Sequence, residues 1–97
     1  MNLRFHRAVQ TDVRQALEYF DREGGTKLGD RFFDEVQAAV ARITANPTHF
    51  GFFRDDIRRA RLRVFRYHLL FRIKPIGVRI LVLRHNRRHP DFGLSRR

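Results

Sequence analysis

The segment Arg84-His85-Asn86-Arg87-Arg88-His89-Pro90 holds the densest group of side chains able to do chemistry in this 97-residue chain. Arg87 and Arg88 suit a phosphate, because a guanidinium is a planar fork of donors that stays charged. His85 and His89 could move a proton near neutral pH. A second group is the run Arg59, Arg61, Arg63, spaced two apart so that on a strand all three leave the same face. His68, Arg72 and Lys74 bear the same relation to the next strand, so the two together predict a cationic sheet face. The spacing of His85 and His89 does not suggest a metal site, since neighbouring Pro90 argues against a helix and no third ligand is evident. No Gly-rich phosphate loop is present, the only serine is Ser95, and the adjacent carboxylates Asp55 and Asp56 would point apart on an extended chain.

The charge is divided unevenly. Residues 1–45 carry seven cations and seven carboxylates, whereas residues 46–97 carry fourteen cations against Asp55, Asp56 and Asp91, which accounts for the net +11. Nineteen of the 21 cations are arginine. A neutral half joined to an arginine-dense half implies a packed scaffold bearing a surface for an anionic partner. Ten phenylalanines and a 42% apolar content exclude a disordered basic tail as the whole chain. The length fits one domain, residues 1–97, with a basic tail over residues 86–97. Without cysteine there is no disulfide framework or thiolate metal site. The N-terminal residues lack the apolar run of a signal peptide, and the stretch Tyr67 to Leu83 is interrupted by Arg72, Lys74, Pro75 and Arg79, so a cytoplasmic protein with no membrane span is expected.

The elements that must position these residues follow from periodicity. Leu3 and Phe5 alternate with polar neighbours, as on a short strand. Val9, Val13, Ala16, Leu17 and Phe20 then recur at helical spacing, with Thr11 or Asp12 available as a cap. Gly24-Gly25 should end that helix. A second helix carries Leu28, Phe32, Val36, Ala39, Val40 and Ile43 on one face, widened by Phe33, and stops at Asn46-Pro47. The short break predicts an antiparallel helical hairpin. Thr48 to Asp56 reads as a loop, in which Phe50, Phe52 and Phe53 either cap the core or meet a partner. The period then becomes two: Ala60, Leu62 and Val64 alternate with the arginines, Tyr67 to Lys74 forms a strand, Pro75-Ile76-Gly77 a turn, and Val78 to Leu83 a strand covered on both faces. The order β-α-α-β-β-β indicates an α+β domain with its helices on one face of an antiparallel meander. Val13, Leu17, Phe20, Phe32, Val36, Val40 and Ile43 should meet Leu62, Val64, Leu69, Phe71, Ile80 and Val82, leaving Arg59, Arg61 and Arg63 exposed. The last dozen residues should be irregular.

This pattern resembles the RelE/ParE superfamily of type II toxins, also called plasmid-stabilisation proteins. The resemblance runs from the helix Asp12-Val13 to Tyr19-Phe20, through the helix ending Ile43 to Asn46-Pro47, to Arg63 ahead of Tyr67-His68-Leu69-Leu70-Phe71-Arg72. Ile80-Leu81-Val82-Leu83-Arg84-His85 leading into Arg87-Arg88-His89-Pro90 completes it. It implies a growth-inhibiting toxin silenced by a cognate antitoxin with an acidic or amphipathic C-terminal segment. Two targets are implied by the two branches. ParE-like members inhibit DNA gyrase by binding, which would make Arg84, His85, Arg87, Arg88 and Phe92 the target contacts and Arg59, Arg61, Arg63 and Arg72 the antitoxin or anion contacts, with no cofactor or metal. RelE-like members are ribosome-dependent mRNA endoribonucleases, for which His68, His85, Arg87, Arg88 and His89 would be the catalytic candidates. The tyrosine that well-known nuclease members carry near the C-terminus has no counterpart, since only Tyr19 and Tyr67 are present, and this departure favours the gyrase branch. A basic nucleic-acid-binding module would explain the charge but not the order of motifs.

Overall fold

The computed structural model describes residues 2–97. Its elements are β1 (Asn2–Phe5), α1 (Ala8–Ala45), a 3-10 turn (Pro47–His49), β2 (Phe52–Arg54), β3 (Ile57–Arg61), β4 (Tyr67–Lys74) and β5 (Gly77–His85). The strands form one sheet in the order β1-β5-β4-β3-β2. β1 runs parallel to β5, and the remaining neighbours are antiparallel. The α+β layout matches the sequence expectation, with one correction to the helices and one added strand.

A single helical run of 38 residues stands where a hairpin of two bounded helices was expected. It is sharply kinked at Gly25, whose φ of 76° and ψ of −178° leave the helical region. Only glycine takes such a backbone without strain. A straight helix of this length would measure about 57 Å, more than the molecule's 40 Å longest extent. The arms on either side of Gly25 therefore turn toward each other, and the rings of Phe20 and Phe32 meet at 4.8 Å across the kink. Neither Thr11 nor Asp12 caps the helix. His6 does so instead: its Nδ1 accepts the Ala8 amide at 3.0 Å, while Asp12 is drawn to the sheet. Among the described residues no helix is long and apolar enough to cross a membrane.

The main core lies between α1 and the sheet. Phe32, Val36, Ala39 and Ile43 meet Ala60, Leu62, Leu69, Phe71, Val78, Ile80 and Leu83, with Val13, Leu17, Phe20 and Val40 at its margin. Two expected members are elsewhere. Val64 is 67% exposed, because β3 ends at Arg61 and the chain turns back to β4. The Glu35 carboxylate accepts the amides of Arg63 at 2.8 Å and Val64 at 3.0 Å, holding that turn against the helix. Phe65 fills the core in its place, 4.9 Å from Phe20 and 5.1 Å from Phe32. Val82 lies on the opposite sheet face. Leu70 pairs with Val82 but Phe71 with Ile80, so Leu81 is an extra residue in β5. Such a bulge breaks the alternation of faces. Leu81 and Val82 accordingly pack with Ile57 and Leu70 in a second cluster, which Phe53, Phe92 and Leu94 cover. Two readings are thereby corrected: Thr48 to Asp56 contains a strand, β2, and the sheet face opposite the helix is partly covered.

Candidate functional site

Register decides which candidate side chains meet. Tyr67 pairs with His85 and His68 with Arg84, so the imidazoles of His68 and His85 leave opposite faces of the sheet. His68 is on the face away from α1 and is 1% exposed. Its Nδ1 donates to Asn86 Oδ1 at 2.7 Å, and its Nε2 accepts the Arg84 Nε–H at 2.9 Å. Burial drives its pKa down to about 4, against the opposing pull of the Asn86 bond and with help from the Arg84, Arg59 and Arg61 cations. A neutral imidazole with both nitrogens engaged is a structural bridge and is not placed to take a substrate proton.

Arg84 was expected at a target surface, yet it is 4% exposed. Its Nη1 donates to the carbonyls of His89, Pro90 and Phe92 at 3.0, 2.8 and 2.9 Å. These bonds fold the segment after β5 into a tight turn and start the last residues back across the sheet. Phe92 and Leu94 then cover the second cluster. Gly93 permits this close approach, because a side chain there would press within 2.9 Å of Val82 and would be strained at φ 81°. Arg96 closes the strap, donating to Asp12 and to the Leu81 carbonyl at 3.1 Å. Arg72 is also committed. It donates to the Arg96 carbonyl at 3.1 Å and to Asp56 at 3.0 Å. The final residues hold neither helix nor strand, as expected, and are docked on the sheet.

The remaining candidate arginines differ in exposure. Arg61 and Arg63 are exposed on and after β3. Arg59 is half-buried, with its guanidinium 5.3 Å from the Phe53 ring, and Arg84 approaches the same ring at 4.8 Å. Arg54, on β2, pairs with exposed Asp91 at 2.6 Å. Arg87, Arg88 and His89 are exposed on the turn, and Arg88 lies 3.9 Å over the Phe92 ring. His85 Nδ1 accepts the Arg87 amide at 3.0 Å, and His89 Nδ1 accepts the Asp91 amide at 3.2 Å. Each of these rings thus braces its own loop. The catalytic candidates are spread over two sheet faces and a turn. What the fold presents to solvent is Arg61 on β3 and Arg87 and Arg88 on the turn after β5.

Sequence reasoning missed a larger feature on the helical side. A groove of about 920 Å³ runs between β1 and the two arms of α1. Its wall includes Phe5, Val13, Leu17, Phe33, Val36 and Val40, with Arg7 and Arg14 beside them. The signal was visible in the extra width that Phe33 gives the apolar stripe. The break at Gly24-Gly25 that parts the two arms was legible as well.

Comparison with known proteins follows the same outline. The model of a family described as the ParE toxin of the type II toxin–antitoxin system parDE matches residues 3–90. A solved structure titled as the chromosomal ParDE toxin–antitoxin system from P. aeruginosa superposes with a TM-score of 0.79 at 15% identity, over 88% of this chain and 95% of that one. At that identity the superposition speaks for the fold. No curated protein matches in sequence.

Proposed function

The chain belongs to the ParE toxin family of type II toxin–antitoxin systems, and from this we propose that it arrests growth by binding DNA gyrase, without catalysis of its own, until a cognate antitoxin covers it. The separation of the imidazoles carries this reading. RNA cleavage through a 2′-hydroxyl needs a base and an acid converging on one phosphate. Here His68 is neutral, internally bonded and on the opposite sheet face from His85, and the C-terminal segment holds no tyrosine. Binding needs only a presented surface. The turn with His85, Arg87, Arg88 and Phe92 supplies one. In this reading Arg84 and Arg72 act one step back, as positioning residues that hold the turn and strap in place.

The antitoxin contact has two parts. The apolar groove between the arms of α1 suits the apolar face of an amphipathic segment, as in other helix-in-groove complexes. Arg7 and Arg14 at its edge, together with the +11 charge of the chain, favour acidic flanks on that segment. Arg59, Arg61 and Arg63 add a field that steers an acidic partner to the complex. The site of action is cytoplasmic in this reading, where gyrase and its DNA are found.

Induction of the chain without its antitoxin tests the reading. The expected result is filamentation with a DNA-damage response while transcripts stay intact. Rapid transcript cleavage would instead place the chain with the ribosome-dependent nucleases.

A further inference from the structure

A second cleft, of about 490 Å³, opens between the first arm of α1 and the connection from β3 to β4. Its walls are Tyr19 and Phe20 on the arm and Phe65 and Tyr67 on the chain leading into β4, with Val64 and Arg66 at its mouth. Phe65 and Tyr67 both face α1, since both rings pack on Phe20 and Phe32. The walls therefore converge on one space. Val64 is 67% exposed and Tyr19 47%. Exposed apolar side chains scattered singly need no explanation, but two that flank one apolar hollow form a patch.

The mouth of the cleft is fixed. Glu35 on the second arm holds the amides of Arg63 and Val64. The Arg66 carbonyl accepts the Asn86 amide at 2.9 Å, and the Tyr67 carbonyl accepts the Leu62 amide at 3.0 Å. Val64 is thus held out in solvent by bonds on either side of it, and a partner that meets it orders little chain on docking. Arg66 is exposed, and no carboxylate lines the cleft. Among the described residues the ion pairs are those of Arg54, Arg72 and Arg96, so Arg66 is left for an acidic group from outside.

The rings do not suit a nucleobase. Phe20 meets Phe65 at 70° and Tyr67 at 60°, and Tyr19 meets Phe20 at 76°. None of these pairs offers the parallel faces of a base stack, and one arginine at the mouth does not track a phosphate backbone. We propose that the cleft is a docking site for a protein segment that seats a bulky apolar side chain among Tyr19, Phe65 and Tyr67 and sets an adjacent carboxylate against Arg66. Its volume is within the range of about 300–1,000 Å³ found for ligand sites, and an apolar anchor in a preformed pocket is what carries most interfaces. Leu17 lines the groove described above and Tyr19 lines this cleft. Two residues along a helix are turned about 200° from each other, so the two sites flank opposite sides of the arm. The inference is independent of the gyrase reading and of what fills the groove.

Amide-resolved NMR of the full chain, titrated with a blocked phenylalanyl-aspartyl dipeptide, tests the site. We expect saturable shifts centred on Tyr19 and on Val64 to Tyr67. The phenylalanyl-asparaginyl dipeptide should bind about fivefold more weakly, the upper range for an exposed ion pair, and Arg66→Gln should remove that difference. Val64→Ser should weaken both dipeptides, whereas Ile76→Ser, at a side chain equally exposed on the β4–β5 turn, should bind as wild type. Absence of saturable shifts at these residues, or equal binding of the two dipeptides to the unmodified chain, would overturn the proposal. So would oligothymidylate binding there more tightly than the dipeptide, which would make the partner a nucleic acid. Self-association of the chain in sedimentation velocity that Val64→Ser abolishes would also overturn it, by assigning the cleft to a second copy.

Discussion

Arg96 and Asp12 are 84 residues apart in sequence and are joined by two parallel hydrogen bonds, Nη1 to Oδ2 at 2.6 Å and Nη2 to Oδ1 at 3.2 Å. The side chains are only 15% and 7% exposed. Asp12 also accepts the Leu83 amide, and Arg96 also donates to the carbonyl of Leu81 at the β5 bulge. One pair thus ties the first turns of α1, the bulge and the C-terminal strap together. Arg96→Ala should lower stability by roughly 3 kcal/mol, because it leaves a buried carboxylate without its cation. Urea unfolding measures this, and a loss below about 1 kcal/mol would mean that the pair behaves as a surface contact. Deleting Asp91 to Arg97 would also uncover Leu70, Leu81 and Val82. Loss of toxicity in such a truncation therefore reports on folding as much as on target contact.

His68 makes stability depend on pH. Its folded pKa, about 4, is below the ordinary 6.5, so between these values the unfolded chain binds more protons and stability rises with pH. The contribution is full above about pH 6.5 and is lost as pH falls toward 4, amounting to about 3 kcal/mol over the window. His6 is shifted the same way, chiefly by burial and then by Arg96 and other cations, and adds to the slope. His68→Gln should flatten most of the dependence of the urea midpoint between pH 4.5 and 7. An unchanged slope would show that His68 is not buried neutral.

Phe32 is fully buried, with the rings of Phe20, Phe65 and Tyr67 around it at 4.8, 5.1 and 5.0 Å. Phe32→Ala should cost about 3–5 kcal/mol. A cost under about 1 kcal/mol, read from the same unfolding curves, would contradict the packing of the two arms across the kink.

How far the sequence revealed the fold depended on whether a side chain's role followed from its own periodicity. The stripe from Phe32 to Ile43 and the alternation through Tyr67 to Lys74 placed the core, because burial on one face repeats at 3.6 or 2 residues. Val82 was misplaced because a single bulge residue, Leu81, shifts parity without any local signal. The docked strap was hidden for a related reason. Arg96, Arg72 and Arg84 read as free charges, and only the tertiary fold brings Asp12, the Leu81 carbonyl and the carbonyls of residues 89–92 within reach. At the candidate site the exposed cations Arg61, Arg87 and Arg88 were legible, whereas His68 and Arg84 are interior residues that bear the charge pattern of a surface.

The groove makes a separate prediction for the antitoxin. Phe33 is 39% exposed on the second arm of α1, so truncating it should leave the fold largely intact. Phe33→Ala should weaken antitoxin binding by at least tenfold, about 1.4 kcal/mol, mainly through faster dissociation. Reversing Arg61 and Arg63 to Glu should instead slow association and reduce its salt dependence. Calorimetry and stopped-flow mixing separate the two, and unchanged affinity in Phe33→Ala would remove the groove from the antitoxin contact.

Binding without catalysis is decided by gyrase supercoiling of a relaxed plasmid in the presence of purified chain. Supercoiling should fall as the chain is added. His85→Gln and His89→Gln should inhibit nearly as well as wild type, and Arg87→Ala with Arg88→Ala should inhibit at least tenfold less while still binding antitoxin. Unimpaired supercoiling at saturating chain, alongside ribosome-dependent mRNA cleavage that His85→Gln abolishes, would contradict the account.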